Sequence, residues 1–179
     1  MDLNKLLKPK SVAIIGASEK AGFGGDTTRN YLKFSKNLDH VYFVNPGRDE
    51  IFGRRAFHSV LEIEEDVDLV ILCTPKKTIV PLLREAAQKN CGGAVVYASG
   101  YSEIGDDGRE DQKELVEEAD RLGIAVMGPN CAGFANFIDG IFAYAFLVEE
   151  RERAGNIGMV SQSGQIVLGG LDSPTMGFS

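Results

Sequence analysis

The chain is poor in the residues that build metal, disulfide and membrane chemistry. It has three cysteines in 179 residues, Cys73, Cys91 and Cys131, far apart and with no CxxC pair. An odd count without metal-ligand spacing argues against a disulfide framework and reads as reduced thiols in a cytoplasmic protein. The two histidines, His40 and His58, have no neighbouring Cys or His with which to hold a metal. Residues 1–10 are lysine-rich, but no long apolar run follows them, so no secretory signal is expected. No apolar stretch reaches the length needed to cross a bilayer. Positive charge is also short: 19 Lys and Arg stand against 26 Asp and Glu, a net charge of −7. That balance excludes a general nucleic-acid or anionic-membrane binder. It does not exclude a polyphosphate ligand, which local backbone amides and one or two basic side chains suffice to hold.

What is present is a regular alternation. Short β-branched runs at 11–15, 41–44, 69–72, 94–97 and 124–127 are separated by amphipathic stretches at 26–34, 78–89 and 109–122. Strands alternating with helices predict a parallel α/β sheet, and continuous apolar strands predict burial on both faces. The expected fold class is therefore α/β, a Rossmann-like doubly wound parallel sheet over residues 1–133. Residues 134–148 are rich in aromatics and read as a hairpin or an extended linker, closed by the charge run 149–153 as a solvated boundary within a 134–154 connection. Residues 156–163 restart the strand-then-loop pattern. Residues 155–179 are thus expected to open a second α/β, flavodoxin-like unit whose helix is weakened by Gly169, Gly170 and Pro174.

A parallel sheet binds ligands at the carboxyl ends of its strands. The dinucleotide fingerprint requires G-x-G-x-x-G after the first strand and an acid closing the second. Residues 16–25, GASEKAGFGG, lack that pattern, and the second strand ends in Asn45-Pro46; both observations argue against an NAD-binding oxidoreductase. The loop still suits a phosphate. Gly16 permits a tight turn, Ser18 offers a hydroxyl, and Gly22, Gly24 and Gly25 let backbone N–H groups approach an anion ahead of a helix. The alternative is that these glycines pack helix against strand. Four more strand-end loops look specialised: Asn45-Pro46-Gly47-Arg48, Thr74-Pro75, Ser99-Gly100-Tyr101-Ser102-Glu103 and Gly128-Pro129-Asn130-Cys131. A further loop, Ser161-Gln162-Ser163-Gly164, runs into a possible helix.

In this order these motifs resemble the CoA-binding domain of the NDP-forming acyl-CoA synthetases, relatives of the succinyl-CoA synthetase α subunit. The matching stretches are VAIIGAS at 12–18, VYFVNP at 41–46 with Ile51-Phe52-Gly53, and Asp68-Leu69-Val70. The loops at 99–103, 128–131 and 161–164 complete the set. The resemblance implies coenzyme A as ligand. Ser18 and the glycine turn would meet its phosphates. Asn45, Pro46 and Arg48 would border the adenosine, with Arg48 either a 3′-phosphate partner or simply an exposed arginine. Thr74 and Pro75 would pack on the adenine or pantetheine side. Ser99, Gly100 and Glu103 would lie along the pantetheine arm, and Asn130 with Cys131 near its thiol end. No catalytic nucleophile is expected in Cys131, because the family uses the thiol of CoA.

The resemblance also implies that Ser163 and Gly164 start a phosphate-binding helix serving a phosphohistidine. Neither His40 nor His58 occupies that histidine's place, and no ATP-grasp unit is present. The chain alone is therefore expected to bind CoA without ligating anything, with the remainder of a synthetase as its partner. The alternative is a free-standing CoA- or acyl-CoA-binding regulatory module.

Overall fold

A computed structural model describes residues 3–148 and 157–171. The apolar runs form a seven-stranded sheet: β1 (Val12–Ile15), β2 (Val41–Val44), β3 (Glu50–Ile51), β4 (Arg54–Phe57), β5 (Leu69–Leu72), β6 (Gly93–Val96) and β7 (Ala125–Met127). Their order is β3-β4-β2-β1-β5-β6-β7, and every pairing is parallel except the short β3–β4 hairpin. Five helices accompany them: α1 (Asn4–Leu7), α2 (Phe23–Phe34), α3 (Ile79–Ala87), α4 (Asp106–Leu122) and α5 (Gly164–Leu171).

Alternate strand residues face opposite sides, which divides the core in two. On one face Ile14, Phe43, Ile71 and Val95 pack with Leu6 of α1, Tyr31 of α2 and the run 141–145. On the other, Ile15, Val44, Leu72 and Val96 pack with Ile79 and Leu83 of α3 and Leu115 of α4. The central strands are buried throughout, as a sheet sandwiched between helices demands. Each such Val, Ile or Leu contributes about 1.5–3 kcal/mol of transfer free energy. The frame under the strand ends is therefore rigid.

The expected doubly wound sheet is present, with two differences, and the 134–148 stretch takes the first of its two expected forms. The β3–β4 hairpin, which residue patterning does not announce, extends the sheet beyond β2. Residues 134–148 form a hairpin-like return, with antiparallel bridges Gly133–Tyr144 and Asn136–Ile141. Ile141 to Ala145 are buried against α2. Finally, the strand expected in 156–163 does not join the sheet. Ile157 makes an isolated bridge, residues 158–160 have no regular structure, and Val160 is fully exposed. The helix after it does form, with Gly169 and Gly170 inside α5. The charge run 149–153 and Pro174 lie outside the described residues.

Candidate functional site

The sheet order reverses at β1: β2 lies on one side and β5 on the other. The loops leaving β1 and β5 therefore diverge and open a crevice at the carboxyl edge. Two adjoining clefts lie there. The first, about 150 Å³, is lined by Ser18, Glu19, Lys20, Asn45, Arg48, Glu50 and Ile51. The second, about 330 Å³, is lined by Phe23, Cys73, Thr74, Pro75, Lys76, Tyr97, Ala98 and Ser99. The turn into the amino terminus of α2 contributes to both, Ser18 to Lys20 lining the first and Phe23 the second, with Gly22 as the helix cap at φ +119. The first-turn N–H groups of a helix have no intrahelical acceptors and carry partial positive charge.

The glycine-rich loop serves two purposes. A Cβ on Gly24 would lie 2.0 Å from the Gly16 carbonyl oxygen, and one on Gly25 would lie 1.7 Å from that of Lys20. These glycines let α2 close onto the loop backbone, as the packing alternative has it. Gly22 is different: nothing lies within 4 Å of a Cβ there, so its side faces open space. The Ser18 hydroxyl accepts from the Lys20 N–H at 3.0 Å, which tightens the turn.

Asn45 joins the first two strand-end loops. Its amide donates to the Ala17 carbonyl at 2.8 Å, and its side-chain oxygen accepts from the Gly47 N–H at 2.9 Å. Both ends of the side chain are thus committed to shaping the first cleft. Pro46 and Arg48 beside it are exposed. Among the described residues, the Arg48 guanidinium and the Lys20 ammonium have no carboxylate or carbonyl partner. These two cations offset the Glu19 and Glu50 carboxylates that share the lining and leave the cleft able to take an anionic ligand, and no acid stands at the end of β2 to hold a ribose.

In the second cleft, the Thr78 hydroxyl donates to the Pro75 carbonyl at 2.7 Å, which leaves the Thr74 hydroxyl to donate to Thr78 at 2.9 Å, and Pro75 is exposed. The floor is polar but closed. Thr27 donates to the Tyr144 carbonyl at 3.0 Å, which leaves the Tyr97 hydroxyl, 3.3 Å away, to donate to Thr27. Burial pushes the Cys73 thiol up to about 12. Phe23 meets Tyr97 edge-on at 5.7 Å and Phe146 at 5.9 Å, giving the cleft an apolar wall.

The loop after β6 brings Ser99, Gly100 and Glu103 together. The Glu103 carboxylate accepts from the Gly100 N–H at 2.5 Å and from the Tyr101 N–H at 3.1 Å. The Gly100 bond above all holds that carboxyl below the usual range. Glu103 therefore organises the loop, while Ser99 is exposed on the cleft wall. After β7, the Asn130 N–H donates to the Ala98 carbonyl at 3.0 Å, and the Asn130 side chain is exposed. The Cys131 thiol turns inward to the Val96 and Met127 carbonyls, both at 3.6 Å, and burial pushes its pKa up. A thiol held protonated in this way is a poor nucleophile.

Ser163 and Gly164 lie apart from both cleft linings, at the start of α5. There the Ser163 N–H donates to the Ser161 hydroxyl at 3.0 Å. The residues that sequence reasoning missed are Glu19, Lys20, Phe23, Glu50, Lys76 and Tyr97. A signal existed for some of them: Lys20 and Lys76 each lie within five residues of a strand's end, and Phe23 is the one aromatic in the glycine run.

The family model described as CoA binding domain matches residues 10–136. The ADP-forming acetate–CoA ligase II of Archaeoglobus fulgidus is 37% identical over 184 residues, covering 99% of this chain and 27% of the relative. A trans-feruloyl-CoA synthase of an unknown prokaryotic organism is 36% identical over 167 residues, covering 92% and 24%. The chain thus spans about a quarter of the length of these curated relatives. Among solved structures, the "dinucleotide forming" acetyl-coenzyme A synthetase 1 of Ca. Korarchaeum cryptofilum, in complex with phosphate and ADP, superposes with a TM-score of 0.85. That match has 28% identity and covers 95% of this chain and 36% of the other.

Proposed function

The chain belongs to the CoA binding domain family, and from that premise we propose that its two clefts hold one coenzyme A molecule for an NDP-forming acyl-CoA synthetase. The first cleft takes the phosphorylated adenosine: Arg48 and Lys20 supply positive charge, Ser18 and Gly22 border the diphosphate, and Asn45 with Pro46 shapes the wall. The diphosphate lies at the α2 amino terminus, where uncompensated N–H groups favour an anion. The pantetheine arm follows the second cleft, between Thr74-Pro75 on one side and Ser99-Gly100 on the other. Asn130 and the Cys131 turn lie toward its thiol end. The observation that carries this reading is that the turn into the α2 amino terminus contributes to both clefts at the carboxyl edge of the sheet.

The division of the chain belongs to the same reading: residues 1–133 as the CoA domain, 134–154 as its connection, and 155–179 as the opening of a second ligase unit. Ser163 and Gly164 would then supply half of a phosphate cradle, completed by the rest of the synthetase. The acyl group is selected elsewhere. Relatives named for acetate and for a feruloyl group share this portion at 37% and 36% identity.

Isothermal titration of the chain with CoA tests the proposal, with NAD as the control. CoA is expected to bind and NAD to give no heat. Ser18→Asp, which places a carboxylate beside the diphosphate, is expected to weaken CoA by about 1–2 kcal/mol, roughly five- to thirtyfold. Absence of CoA binding at millimolar concentration would refute the assignment, and an unaltered Ser18→Asp affinity would move the phosphates away from this loop.

A further inference from the structure

Lys76 opens the short 3-10 turn Lys76–Thr78 after β5, and its side chain lines the second cleft. Its ammonium does not point freely into that cleft. It donates to the Gly100 carbonyl at 2.6 Å, pairs with the Asp111 carboxylate on α4, and stands 5.4 Å over the Tyr101 ring. The N–H of the same Gly100 is held by Glu103 at 2.5 Å. Gly100 has φ +95, a conformation that side-chain-bearing residues rarely adopt. Both polar groups of one left-handed glycine are thus gripped by side chains of opposite charge, one from the loop after β5 and one from its own loop. Ser99, the next residue back, is exposed on the cleft wall, and its hydroxyl has no protein partner among the described residues.

A lysine meant for a phosphate keeps its charge available, as Lys20 and Arg48 do in the first cleft. Lys76 has spent its charge on Asp111 and a carbonyl. The rest of the second cleft's lining is largely apolar, with Phe23, Cys73, Pro75, Tyr97 and Ala98 beside the hydroxyls of Thr74 and Ser99, which suits an uncharged chain with hydrogen-bonding amides better than an anion. Such a ligand gains affinity from a wall whose donors and acceptors are already fixed, because little ordering remains to be done on binding.

We propose that Lys76 and Glu103 are positioning residues that clamp the Gly100 backbone and so preset Ser99 and its peptide to hydrogen-bond the amides of a pantetheine arm. The inference rests on the CoA reading above. It assigns to Lys76 a part in affinity for the arm alone, without contact with the phosphates.

The test compares two probes on the full chain: CoA, and adenosine 3′,5′-bisphosphate, which lacks the arm. Lys76→Met is expected to weaken CoA roughly five- to tenfold, about the worth of one ordinary hydrogen bond in the wall, and to leave the bisphosphate unchanged. Lys76→Arg, which keeps a charged donor, is expected to recover most of the loss. Equal weakening of both probes would overturn the proposal, since a general structural defect does not discriminate between them. So would a CoA affinity unchanged by Lys76→Met. Should Lys76→Met fail to fold, Glu103→Ala releases the other side of the clamp, and the same split between probes is required of it. Failure of the unaltered chain to bind CoA would instead sink the underlying assignment, which the wild-type titration reads separately.

Discussion

Arg48 and Asn45 sit three residues apart in the loop after β2 and do opposite things. Asn45 spends its amide on the protein, tying the Ala17 and Gly47 backbones together. Arg48 keeps its charge exposed beside the first cleft. The account assigns Arg48 to the phosphate on the ribose, so Arg48→Ala should weaken CoA by about 1.5–3 kcal/mol, the range for a hydrogen bond to a charged group. The same substitution should leave 3′-dephospho-CoA binding within about twofold. Equal losses for the two ligands in parallel titrations would place Arg48 elsewhere on the molecule or make it an ordinary surface arginine. At this scale the sequence marks positions better than roles. A glycine-rich run announces close backbone approach, but only the distances separate Gly24, which makes room for the Gly16 carbonyl, from Gly22, which faces open space. Asn45 and Glu103 are legible as site residues; that they work through the backbone rather than as free ligands is not legible, because their partners are amides and carbonyls that no residue pattern displays.

The central strands are the most legible elements. Residues 41–44 and 69–72 are apolar without interruption, and they form β2 and β5 over those bounds. Burial on both faces leaves no polar alternation to confuse the reading. The β3–β4 hairpin is missed because its strands, Glu50–Ile51 and Arg54–Phe57, are short and carry charge at three of six positions, and its stability comes from pairing with β2 rather than from its own composition. The 141–148 stretch is ambiguous for a related reason: Phe142 and Tyr144 are buried against α2, which lies more than a hundred residues earlier. Asn30 on α2 holds that stretch in place. It donates to the Phe146 carbonyl at 2.7 Å and to that of Tyr144 at 3.4 Å, and it accepts from the Val148 N–H at 2.9 Å. Asn30→Ala should therefore cost about 1–3 kcal/mol, the penalty for leaving buried groups unpaired. It should also speed amide exchange at Val148 relative to the β5 core. Unchanged exchange at Val148 would show that the aromatic contacts alone hold the segment.

On the scale of the whole molecule, the parallel sheet turns scattered loops into one edge. The stretches at 16–22, 45–48, 73–76 and 98–101 are separated in sequence but meet because each follows the carboxyl end of a strand in a single sheet. That convergence explains why the candidate site was readable at all: the strand-then-loop rhythm is a sequence property, and topology does the gathering. The expected strand near residue 157 is not among those that this sheet gathers. The chain spans about a quarter of its curated relatives, and the account gives it the CoA end of their chemistry, with acyl choice and phosphate transfer placed in other parts. Hydrogen exchange of the full chain with and without saturating CoA tests that claim most directly. The account predicts slowed exchange over 16–25, 45–48 and 98–101, with the β5 core unchanged. Exchange that is unaltered at all three loops, or slowed only at the opposite edge around 60–68, would contradict it.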